Sequence, residues 1–199
     1  MIVHPIGMMR ANAASGLNFV DDFTTYTLGT DLGANNPPWV YSGGSSRLKV
    51  ADSGGVRVAR HTGGLSNTIY TGAPAAHDRE VSVTVKSKGQ QDRIELYLSY
   101  QDGNNYCKVD LYTNGFVGPR QNVAGTNAVL GYFDAGWVLG DKISVSRVGT
   151  TIKIFKNGVQ VGSTYTGAAG QVGAPRLAVF DAASPSSTWE ISQFELKDL

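Results

Sequence analysis

A single cysteine, Cys107, stands in a chain of 199 residues, so no disulfide can form within the chain and a disulfide-stapled scaffold is excluded. Charge is scarce at 17% of residues, and the 17 basic and 16 acidic side chains nearly cancel to a net +1. That balance offers no electrostatic footing for nucleic acid or for an anionic membrane surface. No apolar run approaches the roughly 20 residues that a membrane-spanning helix needs. Helical signals are missing too, since no stretch carries apolar residues at a 3.6-residue period between caps. The usual catalytic constellations are equally thin. The three histidines, His4, His61 and His77, read as lying in an N-terminal arm and two loops. No Gly-x-Ser-x-Gly elbow and no zinc-ligand spacing occur. No catalytic residue, metal or cofactor is expected.

Glycine, by contrast, is plentiful at 25 residues, which suits a chain with many tight turns. A chain this long buries roughly 70% of its unfolded surface, so one β-domain can hold itself together without staples. Period-two alternation recurs along it. Val81, Val83 and Val85 alternate with Ser82, Thr84 and Lys86 over residues 79–88. Ile94, Leu96 and Leu98 alternate with Glu95, Tyr97 and Ser99 over 93–100, and Cys107, Val109 and Leu111 with Tyr106, Lys108, Asp110 and Tyr112 over 106–112. Ile143 and Val145, then Ile152 and Ile154, repeat the pattern over 142–148 and 151–156. Asp102-Gly103-Asn104-Asn105 and Asn157-Gly158 have hairpin chemistry, and Asn114-Gly115 and Gly149-Thr150 mark further turns. Short strands at this spacing predict two packed antiparallel sheets.

The ends of the domain are expected to meet, with Asp21-Asp22-Phe23 pairing against residues 191–196. A long loop over 24–46 is closed by Trp39, and Trp39 and Tyr41 read as core or loop anchors. Phe116, Tyr132, Phe133 and Trp137 read the same way, and Cys107 as a buried, inert thiol. Residues 1–17 form a separate arm ahead of a domain over 18–199. This stretch carries Ile2, Val3, Ile6, Met8 and Met9, but Pro5 and Gly7 oppose a helix and Arg10 follows a broken apolar run, which is not the order of a signal peptide. Such a segment cannot make its own core, so it is expected to bury itself on a neighbouring subunit, as an assembly element.

Asp22-Phe23, a Gly-rich loop ending in Trp39, the Leu48–Val50 strand, Asp102-Gly103-Asn104-Asn105-Tyr106, the Asn157-Gly158 hairpin and a closing Phe194-Glu195-Leu196 together resemble a concanavalin A-like, laminin-G-like jelly roll. The likeness runs over roughly residues 18–199 and is nearest to such domains in minor tail proteins of phages of actinobacteria. It implies an all-β, two-sheet antiparallel sandwich. It also implies a non-enzymatic virion component, a phage tail or particle-decorating subunit on an extracellular particle. Such a component would exist in multiple copies or as a homo-oligomer, touch other virion proteins and face outward, toward host-surface glycan. The same fold serves carbohydrate-binding modules and glycoside hydrolases, and these are the alternative readings.

A glycosidase needs two carboxylates flanking one bond. Jelly-roll glucanases draw them from alternating acids, Glu-x-Asp-x-Glu, whereas the matching strand here holds Glu95 alone. Asp110 is expected to face Glu95 from the next strand, with Lys108 sharing that face, as a solvated ion cluster. The polar face carrying Glu95, Tyr97, Tyr106, Lys108, Asp110 and Tyr112 is the candidate binding surface, because rings with interspersed polar groups suit sugars and protein partners alike. Calcium in the Asp102–Asn105 loop is conceivable from its oxygen donors, though a plain turn explains the same residues.

Overall fold

The computed structural model describes residues 18–35, 39–44, 48–62, 64–70, 78–89, 93–171, 173–181 and 188–199. The arm with Ile2, Val3, Ile6, Met8 and Met9 lies outside the described residues, as do His4 and His77. The chain runs β1 (Asn18–Asp21), a helical turn α1 (Leu32–Asn35), β2 (Trp39–Gly44), β3 (Lys49–Ser53), β4 (Val56–Thr62), β5 (Gly64–Tyr70), β6 (Arg79–Ser87), β7 (Arg93–Asp102), β8 (Asn105–Tyr112) and β9 (Phe116–Val123). It continues through β10 (Thr126–Val129), β11 (Phe133–Asp134), β12 (Lys142–Val148), β13 (Thr151–Lys156), β14 (Val159–Thr166), β15 (Ala174–Asp181) and β16 (Thr188–Asp198).

These strands make two antiparallel sheets. The first is ordered β14-β13-β12-β6-β16-β4-β3, with β1 beside β16, and the second β10-β9-β8-β7-β15-β5-β2, with β11 beside β9. The alternation read in the sequence decides what lies between them. Val81, Val83 and Val85 from β6, Ile143 and Val145 from β12, and Ile152 and Ile154 from β13 meet Ile94, Leu96 and Leu98 from β7 and Cys107, Val109 and Leu111 from β8 in one core. Each such side chain contributes roughly 1.5–3 kcal/mol by leaving water, before ordering costs. Trp39, Trp137 and Trp189 are fully buried in the same core, so the anchor roles of Trp39 and Trp137 hold.

The domain ends meet as expected, shifted by a few residues. Asn18 pairs with Lys197 and Asp21 with Phe194. Asp21 then ties the chain opening together. Its carboxylate accepts hydrogen bonds from the Phe23 amide (2.8 Å), the Tyr26 hydroxyl (2.7 Å) and the Trp39 indole (2.7 Å). Those bonds hold Phe23 in a left-handed conformation (φ 62°) with its ring fully buried. The predicted hairpins also form. Asn157 and Gly158 both take positive φ, 51° and 82°, as a type I′ turn requires.

Two expectations need correction. His61 is not in a loop but on β4, opposite Trp189 and fully buried, because its neighbours Val58 and Ala59 commit the segment to the core. The long opening loop is not wholly irregular, since Leu32 is buried at the head of the helical turn. Along one open side the sheets are latched together. The Phe133 ring from β11 lies over Gly162 and stacks near Tyr165 of β14 (6.3 Å), where a Cβ on Gly162 would stand 2.5 Å from that ring.

Candidate ligand-binding face

Side chains of the second sheet that do not enter the core form its outer face, and register sets them in rows. Arg176 of β15 stands opposite Tyr97 of β7, Tyr97 opposite Lys108 of β8, and Lys108 opposite Arg120 of β9. In the next row Ala178, Glu95, Asp110 and Gly118 follow one another. Glu95 and Asp110 therefore do face each other across two strands, as the sequence implied.

The environment differs from the expected solvated cluster. Glu95 is 5% exposed and Asp110 fully buried, and Lys108 between them is buried as well. Long side chains on adjacent strands cover one another, an outcome that alternation alone does not reveal. Lys108 Nζ lies 2.5 Å from Glu95 Oε1 and 2.9 Å from Asp110 Oδ1. Arg93 Nε reaches Glu95 Oε1 at 2.8 Å and Asp110 Oδ2 at 3.6 Å, and Arg120 Nε reaches Asp110 Oδ2 at 2.8 Å. The Tyr97 hydroxyl donates to Glu95 Oε2 (2.6 Å) and the Tyr112 hydroxyl to Asp110 Oδ2 (3.2 Å).

These contacts sort the two carboxylates. Burial alone would raise Glu95, but Lys108, with Tyr97 and Arg93 behind it, outweighs burial and holds the carboxyl below its ordinary value. Asp110 goes the other way: burial, reinforced by the Glu95 charge, raises it against the pull of Lys108 and Arg93. Burial, with Glu95 and Asp110 beside Tyr97 and Asp110 beside Tyr112, pushes both phenols up, so both stay protonated donors.

Rings surround the cluster. Tyr97 packs edge-on against Tyr100 (5.5 Å) and Tyr106 (5.6 Å). Tyr132, 51% exposed, stacks on Phe116 (4.8 Å) and meets Tyr112 edge-on (5.4 Å). Tyr106 and Tyr112 are half-buried, and Asn127 donates to the Tyr106 hydroxyl (3.1 Å). All six residues singled out from sequence thus share one face. Sequence reading passed over Arg176 and Arg120, although Arg176 precedes the inward Leu177 and Val179 in the same alternation. Elsewhere, Asp102 Oδ1 is engaged by the Asn104 amide (2.7 Å) and Asn105 Nδ2 (3.1 Å), as in a plain turn. Among the described residues no group of three His, Cys, Asp or Glu side chains is placed to hold a metal. Cys107 is buried, and burial pushes its thiol up to about 11, which keeps it a thiol.

No family model matches the sequence, and no curated protein matches it either. Solved structures do match. The exoplasmic/lumenal domain of VIP36, bound to Ca2+ and Man3GlcNAc, superposes with a TM-score of 0.62 at 14% identity, over 82% of this chain and 84% of its own. A β-glucanase of Bacillus licheniformis gives 0.60 at 12% identity over 94% and 100%, and the carbohydrate binding module CBM66 of Bacillus subtilis 0.56 at 16% over 77% and 91%. The fold is a concanavalin A-like jelly roll. At such identities the likeness carries the fold alone, and what the jelly roll does has to come from its own side chains.

Proposed function

We propose that this jelly roll is a non-catalytic glycan-binding domain whose ligand lies on the outer face of the second sheet, over Tyr106, Tyr112 and Tyr132. The observation that carries the reading is the Lys108 bridge. With its ammonium lodged between Glu95 and Asp110, and both acids buried, no glycosidic oxygen reaches either carboxyl for protonation or attack, which hydrolysis requires. What the face does offer is rings at its rim with hydrogen-bonding groups between them, the surface chemistry that suits sugar faces. A carbohydrate binding module and the VIP36 exoplasmic/lumenal domain, solved with bound Man3GlcNAc, share the fold, which supports the same reading.

Glycan arrays and affinity electrophoresis of the purified protein test it. Binding to at least one polysaccharide is expected, with Tyr132→Ala weakening it about tenfold, or roughly 1.4 kcal/mol, and with no release of reducing ends. Absence of any glycan binding would overturn the proposal, as would turnover that Glu95→Gln abolishes. A narrower setting, a phage tail or decorating subunit that carries this domain on a virion, rests on the sequence resemblance and on the apolar character of residues 1–17.

A further inference from the structure

Four cationic side chains, Arg93, Lys108, Arg120 and Arg176, share the outer face of the second sheet with two carboxylates, Glu95 and Asp110, in a chain whose net charge is only +1. Three of the four are accounted for. Arg93 and Lys108 each reach both acids, and Arg120 reaches Asp110. Arg176 is left over. It is 6% exposed, yet among the described residues it has no ion pair and no hydrogen-bond acceptor, and its Nε is sealed from water. Burying a guanidinium nitrogen without an acceptor is costly, and no hydrogen bond or ion pair among the described residues offsets that cost.

The surroundings hold the group in a fixed pose. Its Cζ stands 4.0 Å from the centroid of the Tyr100 ring and 4.8 Å from that of Tyr97. Cation–ring contact of this kind offsets only part of the desolvation. The two rings stand at 88° to one another, so together they limit how the guanidinium can turn. A planar fork held this way matches a carboxylate through two parallel hydrogen bonds.

We propose that Arg176 is the anchor for the carboxylate of an acidic saccharide, a uronic or sialic acid residue, whose ring rests beside Tyr100 and Tyr106. The inference rests on the glycan-binding reading above and names its ligand class. The ligand's carboxylate supplies the acceptor that the fold withholds, and the surplus positive charge of the face draws it in. Neutral sugars leave the guanidinium unpaired and bind more weakly for that reason.

The test uses hyaluronan, polygalacturonate, alginate and polysialic acid, each beside a copy whose carboxyl groups are reduced to alcohols, with dextran sulfate and dextran as sulfated and neutral probes. At least one carboxylated polymer is expected to bind at least tenfold more tightly than its reduced copy and than dextran sulfate. Arg176→Gln should lose that tenfold, and so should Arg176→Lys, which keeps the charge but not the fork. Melting of Arg176→Gln without ligand should be unchanged or higher, because an uncompensated buried charge is gone. A purely structural arginine would instead lower it. Equal binding of reduced copies, preference for dextran sulfate, or full affinity in Arg176→Gln overturns this inference while leaving glycan binding intact. Failure of every polymer in the panel and of a broad glycan array overturns both.

Discussion

Lys108 is the residue on which the outer face turns, because one ammonium serves two buried carboxylates at 2.5 and 2.9 Å. Removing one member of such a cluster leaves charge buried without a partner, at a cost of about 3–5 kcal/mol. Glu95→Gln is the informative change. The folded carboxyl sits below its ordinary value, so the stability it contributes is fully present above the unfolded carboxylate range near pH 4.3 and is lost as pH falls through the folded value. Asp110, raised in the fold, has the opposite sign, and acid relieves it. The melting-temperature gap between wild type and Glu95→Gln is therefore expected to be wide at pH 7 and to close toward pH 3. A gap that stays constant with pH would mean that Glu95 is not charged in the fold. Sequence made the pairing of Glu95 with Asp110 legible, since two alternating strands joined by a short turn fix which residues face each other. Burial of the pair was not legible, because alternation assigns a face and says nothing of what covers it.

At the scale of elements, hairpins were read with their residues and orders of strands were not. Asn157-Gly158 identifies its own turn through local backbone chemistry. By contrast, β15 lies between β7 and β5, and β6 between β12 and β16, through pairings made far along the chain. No local signal encodes such neighbours. Nor did sequence single out Gly162, whose role depends on a ring brought by β11 from the other sheet. The two glycines separate backbone strain from packing. Gly158→Ala meets open space at φ 82° and should cost about 1 kcal/mol. Gly162→Ala adds contact with the Phe133 ring at φ 68° and should cost a further 1–3 kcal/mol. At roughly 2–4 °C per kcal/mol, thermal melts resolve the difference. Equal shifts for the two variants would show that the latch between β11 and β14 carries no stability.

At the scale of the whole molecule, one core joins both sheets. The reading of residues 1–17 as a separate arm predicts that deleting residues 1–15 moves the melting temperature by less than about 2 °C, and a fall beyond about 5 °C would place that segment in the core. The same truncation bears on the virion setting, which predicts that the shortened chain no longer enters a particle; unaltered assembly would remove the arm as the attachment element. Any attachment has a mechanical side as well. Asn18 faces Lys197 across an antiparallel ladder, so links on either side of these residues leave the sandwich at one place. Tension between the links acts across the ladder and parts it one pair of hydrogen bonds at a time, instead of loading four residues together in shear. The strain is then met at Asp21, where three hydrogen bonds converge on one carboxylate in front of the buried Phe23 and Trp39. A short strand yields first, and a knot behind it shields the core from the pull.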